Sequence, residues 1–354
     1  IDFNFPTVLI EKNLYSLELF HGPTMAFKDV GAKFMSGCMN YFIETENLKR
    51  KITVLVATSG DTGGAVANGF LGVDGVDVVI LYPKGKVSEI QESQLTTLGK
   101  NVSALEIDGY FDECQEMVKK SFLDSDLNKK LLLTSANSIN IARWIPQMLY
   151  YFIAYKNLNT ENLKVVFSVP SGNFGNLCAG MLAKKMGLPV SHFIATTNEN
   201  DTVPKFMKTG KYKKQKTIST ITNAMDVGDP SNFVRILNLY DNKFDKLKKE
   251  LTAYKFTDKK TISGIQKLYH KSKYLLDPHG ATAYLGLKKY LANNPNEIGI
   301  FLETAHPIKF LDTVENSINE KIKIPKHILK LKKKKKNKIA IKNYEQLKSF
   351  LLSR

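Results

Sequence analysis

One lysine, Lys28, lies in a patterned segment, HGPTMAFKD at residues 21–29, between an aromatic and an acidic residue. A lysine amine loses its proton more readily when it is shielded from water, which suits it to Schiff-base chemistry. Phe27 is the kind of neighbour that excludes water. The 51 basic residues include only four arginines, so 47 are lysines, and most of these must be solvated. Lys28 is therefore a candidate that needs support from the rest of the chain.

A glycine-rich loop, SGNFGN at residues 171–176, follows the short apolar run at residues 165–169 and precedes a helical pattern. Backbone N–H groups converge in such a loop, and the start of the helix adds positive potential, so the loop can bind an anion. A plain strand-to-helix turn is the alternative. The chain lacks the spacings GxxxxGK(S/T) and GxGxxG, which leaves a smaller phosphate group as the expected ligand. The candidate residues are Gly172, Asn173, Phe174, Gly175 and Asn176.

A second loop with the same Ser-Gly-(Asp/Asn)-x-Gly pattern follows the apolar run at residues 52–57. Ser59 and Thr62 can donate hydrogen bonds to another anionic group at the start of the next helix. The alternative is that Asp61 only caps this helix.

Polar residues also open a helical pattern after the apolar residues 131–133. Asn137 and Ser138 are followed by Arg143, one of the four arginines. Because a solvated position accepts lysine equally well, an arginine in a lysine-rich chain suggests a forked contact with phosphate or carboxylate. A surface charge is the alternative.

The last predicted strand, at residues 298–302, is followed by Thr304, whose hydroxyl can pair with a ring nitrogen at the carboxyl edge of a sheet. His306 and His279 are interpreted as structural histidines beside helix starts. The six histidines show no metal-ligand spacing, so no metal site is predicted.

The order of elements predicts an α/β fold, because continuous apolar strands alternate with helical patterns and so indicate mostly parallel sheets covered on both faces. The two similar loops suggest two open α/β domains that face a shared cleft. We expect a larger cofactor-binding domain from residues 1–30 and 155–325, and a smaller substrate-side domain from residues 31–154. Residues 326–354 are expected to form a lysine-rich helical tail.

The composition excludes several classes of protein. The net charge of +17 comes from lysine, and no basic segment carries interleaved aromatic residues, so nucleic acid is not an expected partner. Three scattered cysteines indicate no disulfide framework. No apolar run could span a membrane and no secretory signal is present, which predicts a soluble, cytoplasmic protein; the oligomeric state is not readable.

A lysine for a Schiff base, a loop for a small phosphate and a hydroxyl for a ring nitrogen together specify pyridoxal phosphate. The chain resembles the threonine synthase family of pyridoxal phosphate enzymes, which have the tryptophan-synthase β-like fold (fold type II). The resemblance spans nearly all of residues 17–326. It rests on these segments: HGPTMAFKD, ATSGDTGGAVA, ILYPKGKVS, SANSINIARW, VPSGNFGNLCAG, TNENDTVP, NAMDVGDPSNF and LETAHPIKF.

The resemblance implies a role for each candidate. Lys28 would hold the cofactor and move protons, the 172–176 loop would bind its phosphate, and Thr304 would meet its pyridine nitrogen. The implied substrate is O-phospho-L-homoserine, which a carbon-oxygen lyase of this family converts with water to L-threonine and phosphate. Its phosphate would be bound by these residues: Ser59, Thr62, Asn137, Ser138 and Arg143.

The sequence departs from the family in two respects. Asn176 occupies a position where members usually carry aspartate, and its amide can still donate to the cofactor. Members also carry a further segment before the lysine motif, which we expect to matter for folding more than for chemistry. A serine/threonine dehydratase-like β-eliminating enzyme, which needs no second phosphate site, and an inactive relative that acts as a binding protein are the alternatives.

Overall fold

The computed structural model describes residues 1–158 and 163–354. These residues form two compact units. The first unit consists of residues 1, 28–143 and 324–354, and the second of residues 2–27 and 144–323.

The strands are numbered in chain order through both units. They are β1 (Thr7–Glu11), β2 (Leu14–Glu18), β3 (Ile52–Ala57), β4 (Val76–Pro83), β5 (Val102–Ile107), β6 (Leu132–Ser135), β7 (Val165–Pro170), β8 (Val190–Thr197), β9 (Leu251–Lys255), β10 (Ile298–Glu303) and β11 (Ile339–Ile341).

The α-helices are numbered in the same way. They are α1 (Lys28–Thr45), α2 (Asp61–Gly69), α3 (Glu89–Thr96), α4 (Phe111–Leu123), α5 (Ser125–Lys130), α6 (Ile141–Trp144), α7 (Met148–Leu158), α8 (Gly175–Lys185), α9 (Thr202–Thr209), α10 (Phe233–Leu239), α11 (Phe244–Glu250), α12 (Asp258–Ser272), α13 (Pro278–Leu291), α14 (Leu311–Ile318), α15 (Lys326–Lys332) and α16 (Tyr344–Leu352).

The first unit is built on a parallel sheet with the strand order β11-β5-β4-β3-β6. Every residue of β3 and β4 is buried. Alternate residues of β3 pack in two different hydrophobic clusters, with Val54 and Val56 in one and Leu55 and Ala57 in the other. Apolar residues on both faces explain why these strands read as continuous apolar runs rather than as an alternating pattern.

The second unit contains a six-stranded sheet with the order β1-β2-β10-β7-β8-β9. All of its strand pairs are parallel except the β1–β2 hairpin. Helix α13 packs against β10, β7 and β8 and contributes to the main core of this unit. The prediction of an α/β fold with mostly parallel sheets is confirmed.

The predicted helical tail needs correction. Residues 324–354 belong to the first unit, and β11 adds a parallel strand beside β5. The lysines before β11 contact acidic side chains, with Lys338 Nζ 2.7 Å from Glu106 Oε1 and 3.0 Å from Glu92 Oε1. Leu347 and Leu351 of α16 are fully buried. Backbone pairing and apolar burial therefore join this lysine-rich segment to the sheet.

The other predicted domain limits also differ from the observed units. The first unit ends its central stretch at Arg143 rather than at residue 154. The helical pattern that Asn137 and Ser138 open is divided into α6 and α7 by the 3₁₀ turn Ile145–Gln147. Pro146 lies in this turn, where its missing N–H interrupts the helical hydrogen bonding. No helix among the described residues is long and apolar enough to cross a membrane.

Candidate functional site

A backbone ladder fixes the residues that precede Lys28. The N–H of Phe27 donates to the carbonyl of Thr304 at 2.9 Å, and the N–H of His306 donates to the carbonyl of Met25 at 3.0 Å. Ala26 forms an antiparallel bridge with Ala305 between these two bonds. Main-chain hydrogen bonds thus hold the segment before Lys28 against the segment that carries Thr304.

The lysine itself is the first residue of α1 in the first unit. Its side chain is 16% exposed, and Nζ lies 3.6 Å from Oδ2 of Asp61. Asp61 is buried, and its Oδ1 accepts a 2.9 Å hydrogen bond from the side-chain amide of Gln91. A mostly shielded amine therefore lies beside an oriented carboxylate.

The loop at residues 58–62 caps α2 in a different way from the alternative given by the sequence, in which Asp61 is the cap. Asp61 is inside α2, and the residue at the N-cap position is Gly60. The hydroxyl of Thr58 accepts hydrogen bonds from the N–H groups of Gly60 at 2.9 Å and Gly63 at 2.8 Å. Gly60 has φ 134°, a conformation that side chains disfavour. The alternative reading of Asp61 as a helix cap is therefore wrong, and sequence reasoning missed the role of Thr58.

Capping by Thr58 leaves some backbone N–H groups at the start of α2 available to a ligand. Within the described parts of the chain, the backbone N–H groups of Ser59 and Thr62 donate to no other residue. Both side chains are partly exposed. Backbone and hydroxyl donors at a helix start form a set that suits an anion.

Asn137 lies next to this loop because its side chain bonds to the end of β3. Its Nδ2 donates to the carbonyl of Ala57 at 2.7 Å, and its Oδ1 accepts from the N–H of Ala57 at 3.3 Å. Ser138 follows Asn137 and is partly exposed. The structure thus brings the 137–138 turn to the strand end from which Ser59 and Thr62 extend.

Arg143 is buried and binds the backbone on both sides of this region. Its guanidinium donates to the carbonyl of Ala136 and, at 3.5 Å, to the carbonyl of Lys28. A Cβ on Gly31 would lie 1.9 Å from the carbonyl oxygen of Arg143, so the close approach of these segments requires glycine. Burial lowers the pKa of Arg143 to about 10, and the Asp29 carboxylate opposes the shift. Arg143 therefore links the 136–138 turn to the Lys28 backbone.

The 171–176 loop of the second unit runs from the end of β7 into α8. Phe174 has φ 61°, which turns the chain sharply before the helix starts. Across the residues that the structure describes, none of the backbone N–H groups of residues 172–176 donates to another protein group. Five successive donors at a helix start fit the oxygens of a phosphate group.

The Asn176 side chain is held by two tyrosines of α7. Its Oδ1 accepts hydrogen bonds from the hydroxyls of Tyr150 at 2.6 Å and Tyr151 at 2.8 Å. Burial raises the pKa of both tyrosines well above 10, which keeps these hydroxyls as donors. The Nδ2 of Asn176 is buried and has no hydrogen-bond partner among the described residues.

Thr304 follows β10, and its neighbour Glu303 is a feature that sequence reasoning missed. Glu303 is fully buried, and its Oε1 accepts a 2.6 Å hydrogen bond from the N–H of Asp277. Burial, reinforced by the negative charge of Asp277, raises the pKa of Glu303 well above its ordinary value. His279 and His306 have structural contacts, as predicted: His279 pairs with Asp277, and His306 Nδ1 accepts the N–H of Ile308 at 3.1 Å.

Comparison with known proteins identifies the family to which the chain is similar. Residues 9–300 match the family described as "Pyridoxal-phosphate dependent enzyme", and residues 280–351 match "Threonine synthase, C-terminal". A threonine synthase of Buchnera aphidicola subsp. Acyrthosiphon pisum is 48% identical over 322 residues, which are 91% of this chain and 73% of the relative.

Two solved structures share the fold closely. The threonine synthase of Escherichia coli has a TM-score of 0.92 at 43% identity, with 99% of this chain and 81% of that chain covered. The pyridoxal phosphate-bound threonine synthase of Brucella melitensis has a TM-score of 0.90 at 34% identity, with 98% and 80% covered.

The parallel sheets, the lysine at the start of α1 and the phosphate-type loop at the start of α8 define the class of pyridoxal-phosphate dependent α/β enzymes. The sequence identity and the coverage of the matches to relatives assign the chain to one family within this class. The chain belongs to the threonine synthase family.

The buried carboxyl of Glu303 gives a prediction for stability. Burial raises the pKa of Glu303 in the folded protein above its value of about 4.5 in the unfolded chain. The folded state then holds the extra proton, so stability falls as the pH rises above that value. Glu303→Gln keeps the size of the side chain and cannot ionise. We expect a higher melting temperature than wild type at pH 8, with the difference shrinking towards pH 4.5.

The matched control is Glu345→Gln, since Glu345 has a 76% exposed side chain. Melting curves between pH 4.5 and pH 8 should separate the two variants. A Glu303→Gln profile parallel to that of wild type would contradict a raised pKa of Glu303.

Proposed function

We propose that this protein converts O-phospho-L-homoserine and water to L-threonine and phosphate, the last step of threonine biosynthesis. Two sets of donors at helix starts support this proposal most strongly, since among the described residues their backbone N–H groups donate to no protein group. One set is residues 172–176, before and within α8, and the other is Ser59 with Thr62 at α2. A phosphorylated cofactor and a phosphorylated substrate require two such sets. A substrate without phosphate would need only one.

The residues present fit pyridoxal phosphate. The N–H groups of residues 172–176 would bind its phosphate, and the Thr304 hydroxyl would meet its pyridine nitrogen. Bound there, this cofactor supplies an electron sink that makes the protons next to the amino group of the substrate removable. A hydroxyl at the pyridine nitrogen carries no charge, so it need not keep the ring protonated.

Lys28 would attach the cofactor covalently and then transfer protons with the same amine. One amine can accept a proton from one carbon and return it to another, because each transfer needs only hydrogen-bond reach. The Asp61 carboxylate, 3.6 Å from Nζ, orients the amine. Burial of Lys28 also keeps bulk water from the amine, which limits unproductive proton exchange.

Binding of the substrate phosphate is assigned to residues of the first unit. Ser59 and Thr62 would donate from the start of α2, and Ser138 from the turn that Asn137 fixes to the end of β3. Arg143 adds positive charge and, through its bonds to the carbonyls of Ala136 and Lys28, holds this turn in place. Departure of phosphate from Cγ and addition of water at Cβ then give threonine.

The alternative within the fold is a serine/threonine dehydratase-like enzyme, and the alternative outside catalysis is an inactive relative that binds ligands. The donor set at α2 favours the phosphorylated substrate. Lys28 beside Asp61 favours catalysis over binding alone. We expect the ligands to be small molecules and the protein to be located in the cytoplasm.

The first test of the function is product formation. Incubation with O-phospho-L-homoserine should release phosphate and threonine in equal amounts. Lys28→Ala should reduce turnover by at least about 10⁴-fold, because the covalent step and the proton transfers use this amine. Lys130→Ala, at an exposed position, is the control and should match wild type. Phosphate without threonine would contradict the proposal, and so would turnover by Lys28→Ala.

The second test concerns the substrate phosphate. Thr62→Val keeps the shape and the backbone N–H but removes the hydroxyl. Loss of one hydrogen bond to a charged group should raise KM for O-phospho-L-homoserine about 10-fold or more. The dissociation constant of pyridoxal phosphate should not change. Thr45→Val, at the exposed end of α1, serves as the control. An unchanged KM for Thr62→Val would remove Thr62 from the phosphate site.

A further inference from the structure

A buried aspartate–histidine pair lies at the start of α13, among residues to which the proposed chemistry gives no role. Asp277 is 0% exposed and His279 is 3% exposed. His279 Nδ1 lies 2.6 Å from Asp277 Oδ1. Asp277 also caps α13, since its carboxylate accepts the N–H groups of His279 at 2.9 Å and Gly280 at 3.1 Å. The pair is therefore rigidly built into the helix start.

The second ring nitrogen of His279 accepts a hydrogen bond. The backbone N–H of Ala224 lies 3.3 Å from His279 Nε2. Because a backbone N–H can only donate, Nε2 carries no proton and the ring proton is on Nδ1, facing Asp277. Asp277 thus selects the tautomer that leaves an acceptor for Ala224.

Ala224 belongs to a segment, residues 222–232, that packs directly against the phosphate-type loop. A Cβ on Gly172 would lie 2.7 Å from the carbonyl oxygen of Ala224 and 2.8 Å from the Cα of Met225. The backbones therefore touch at this point, and any shift of Ala224 displaces Gly172.

The same segment holds the next residue of the loop. Ser231 donates to Asn173 Oδ1 from its N–H at 3.3 Å and from its hydroxyl at 3.2 Å. The N–H of Asn232 donates to the carbonyl of Asn173 at 3.3 Å. Segment 222–232 thus contacts and stabilises Gly172 and Asn173. The buried His279 binds this segment at Ala224.

We propose that His279 is a positioning residue for the cofactor phosphate. Its Nε2 accepts the hydrogen bond from Ala224, and the backbone of Ala224 packs against Gly172. These contacts keep the N–H groups of the loop in the arrangement that binds phosphate. Asp277 contributes by fixing the tautomer. The inference rests on the proposed cofactor site, and it assigns to a residue outside that site part of the affinity for pyridoxal phosphate.

Two variants of His279 separate the acceptor from the rest of the ring. Asparagine places its amide near the position of Nδ1, so His279→Asn keeps a partner for Asp277 and loses the acceptor for Ala224. Glutamine reaches the position of Nε2, so His279→Gln restores that acceptor. The dissociation constant of pyridoxal phosphate is measured by titrating each apoprotein, after melting curves show that it is folded.

We expect His279→Asn to raise the dissociation constant about 10-fold or more, because a buried N–H loses its acceptor. His279→Gln should stay within about threefold of wild type. Equal weakening in both variants, or no weakening in His279→Asn, would overturn the inference. Failure of the wild-type protein to bind pyridoxal phosphate would instead contradict the proposed function, so the two failures are distinguishable.

Hydrogen exchange provides a second measurement if His279→Asn does not fold. The Ala224 amide of the wild-type protein should exchange slowly, since it is bonded to His279, and it should remain protected in His279→Gln. Fast exchange of this amide in the folded wild-type protein would overturn the inference.

Discussion

The short backbone ladder between residues 25–27 and 304–306 is the constraint on which the rest of the site depends. It joins segments almost 280 positions apart, and Lys28 follows the ladder by a single peptide bond. Side chains can vary around such a ladder without moving it, because its bonds involve only main-chain groups. Lys309, which is fully buried, adds a 2.9 Å bond from Nζ to the carbonyl of Thr24. The same main-chain structure therefore fixes Thr304 and Phe27, the residue that precedes Lys28.

Both donor sets follow the same physical principle. A helix start leaves N–H groups without intrahelical acceptors, and a sharp turn before the helix aims them outward. Gly60 provides this turn before α2, and Phe174, in the left-handed conformation, provides it before α8. Thr58 stabilises the loop before α2 by hydrogen bonds, and segment 222–232 packs against the loop before α8. The proposed phosphate binding would rely on backbone geometry, which neighbouring side chains maintain.

The sequence predicted the central strands and both loops because these signals are local: β-branched apolar runs followed by glycine. It missed β1, β2, β5, β9 and β11. Of these, β11 is a three-residue strand in a lysine-rich segment and pairs with β5. It left open whether Asp61 caps α2, and the structure shows that its carboxylate lies near Lys28 while Thr58 provides the cap. The raised pKa of Glu303 and the tautomer of His279 depend on burial and on partners distant in sequence, which no local pattern encodes.

The proposed role of Lys28, covalent attachment of the cofactor, underlies every other assignment in the site. Its most direct test is borohydride reduction of the wild-type protein with pyridoxal phosphate, followed by proteolysis and mass spectrometry of the peptides. We expect one pyridoxyl adduct per chain, located on Lys28, although the chain contains 47 lysines. An adduct on another lysine with Lys28 unmodified, or no adduct at all, would contradict it.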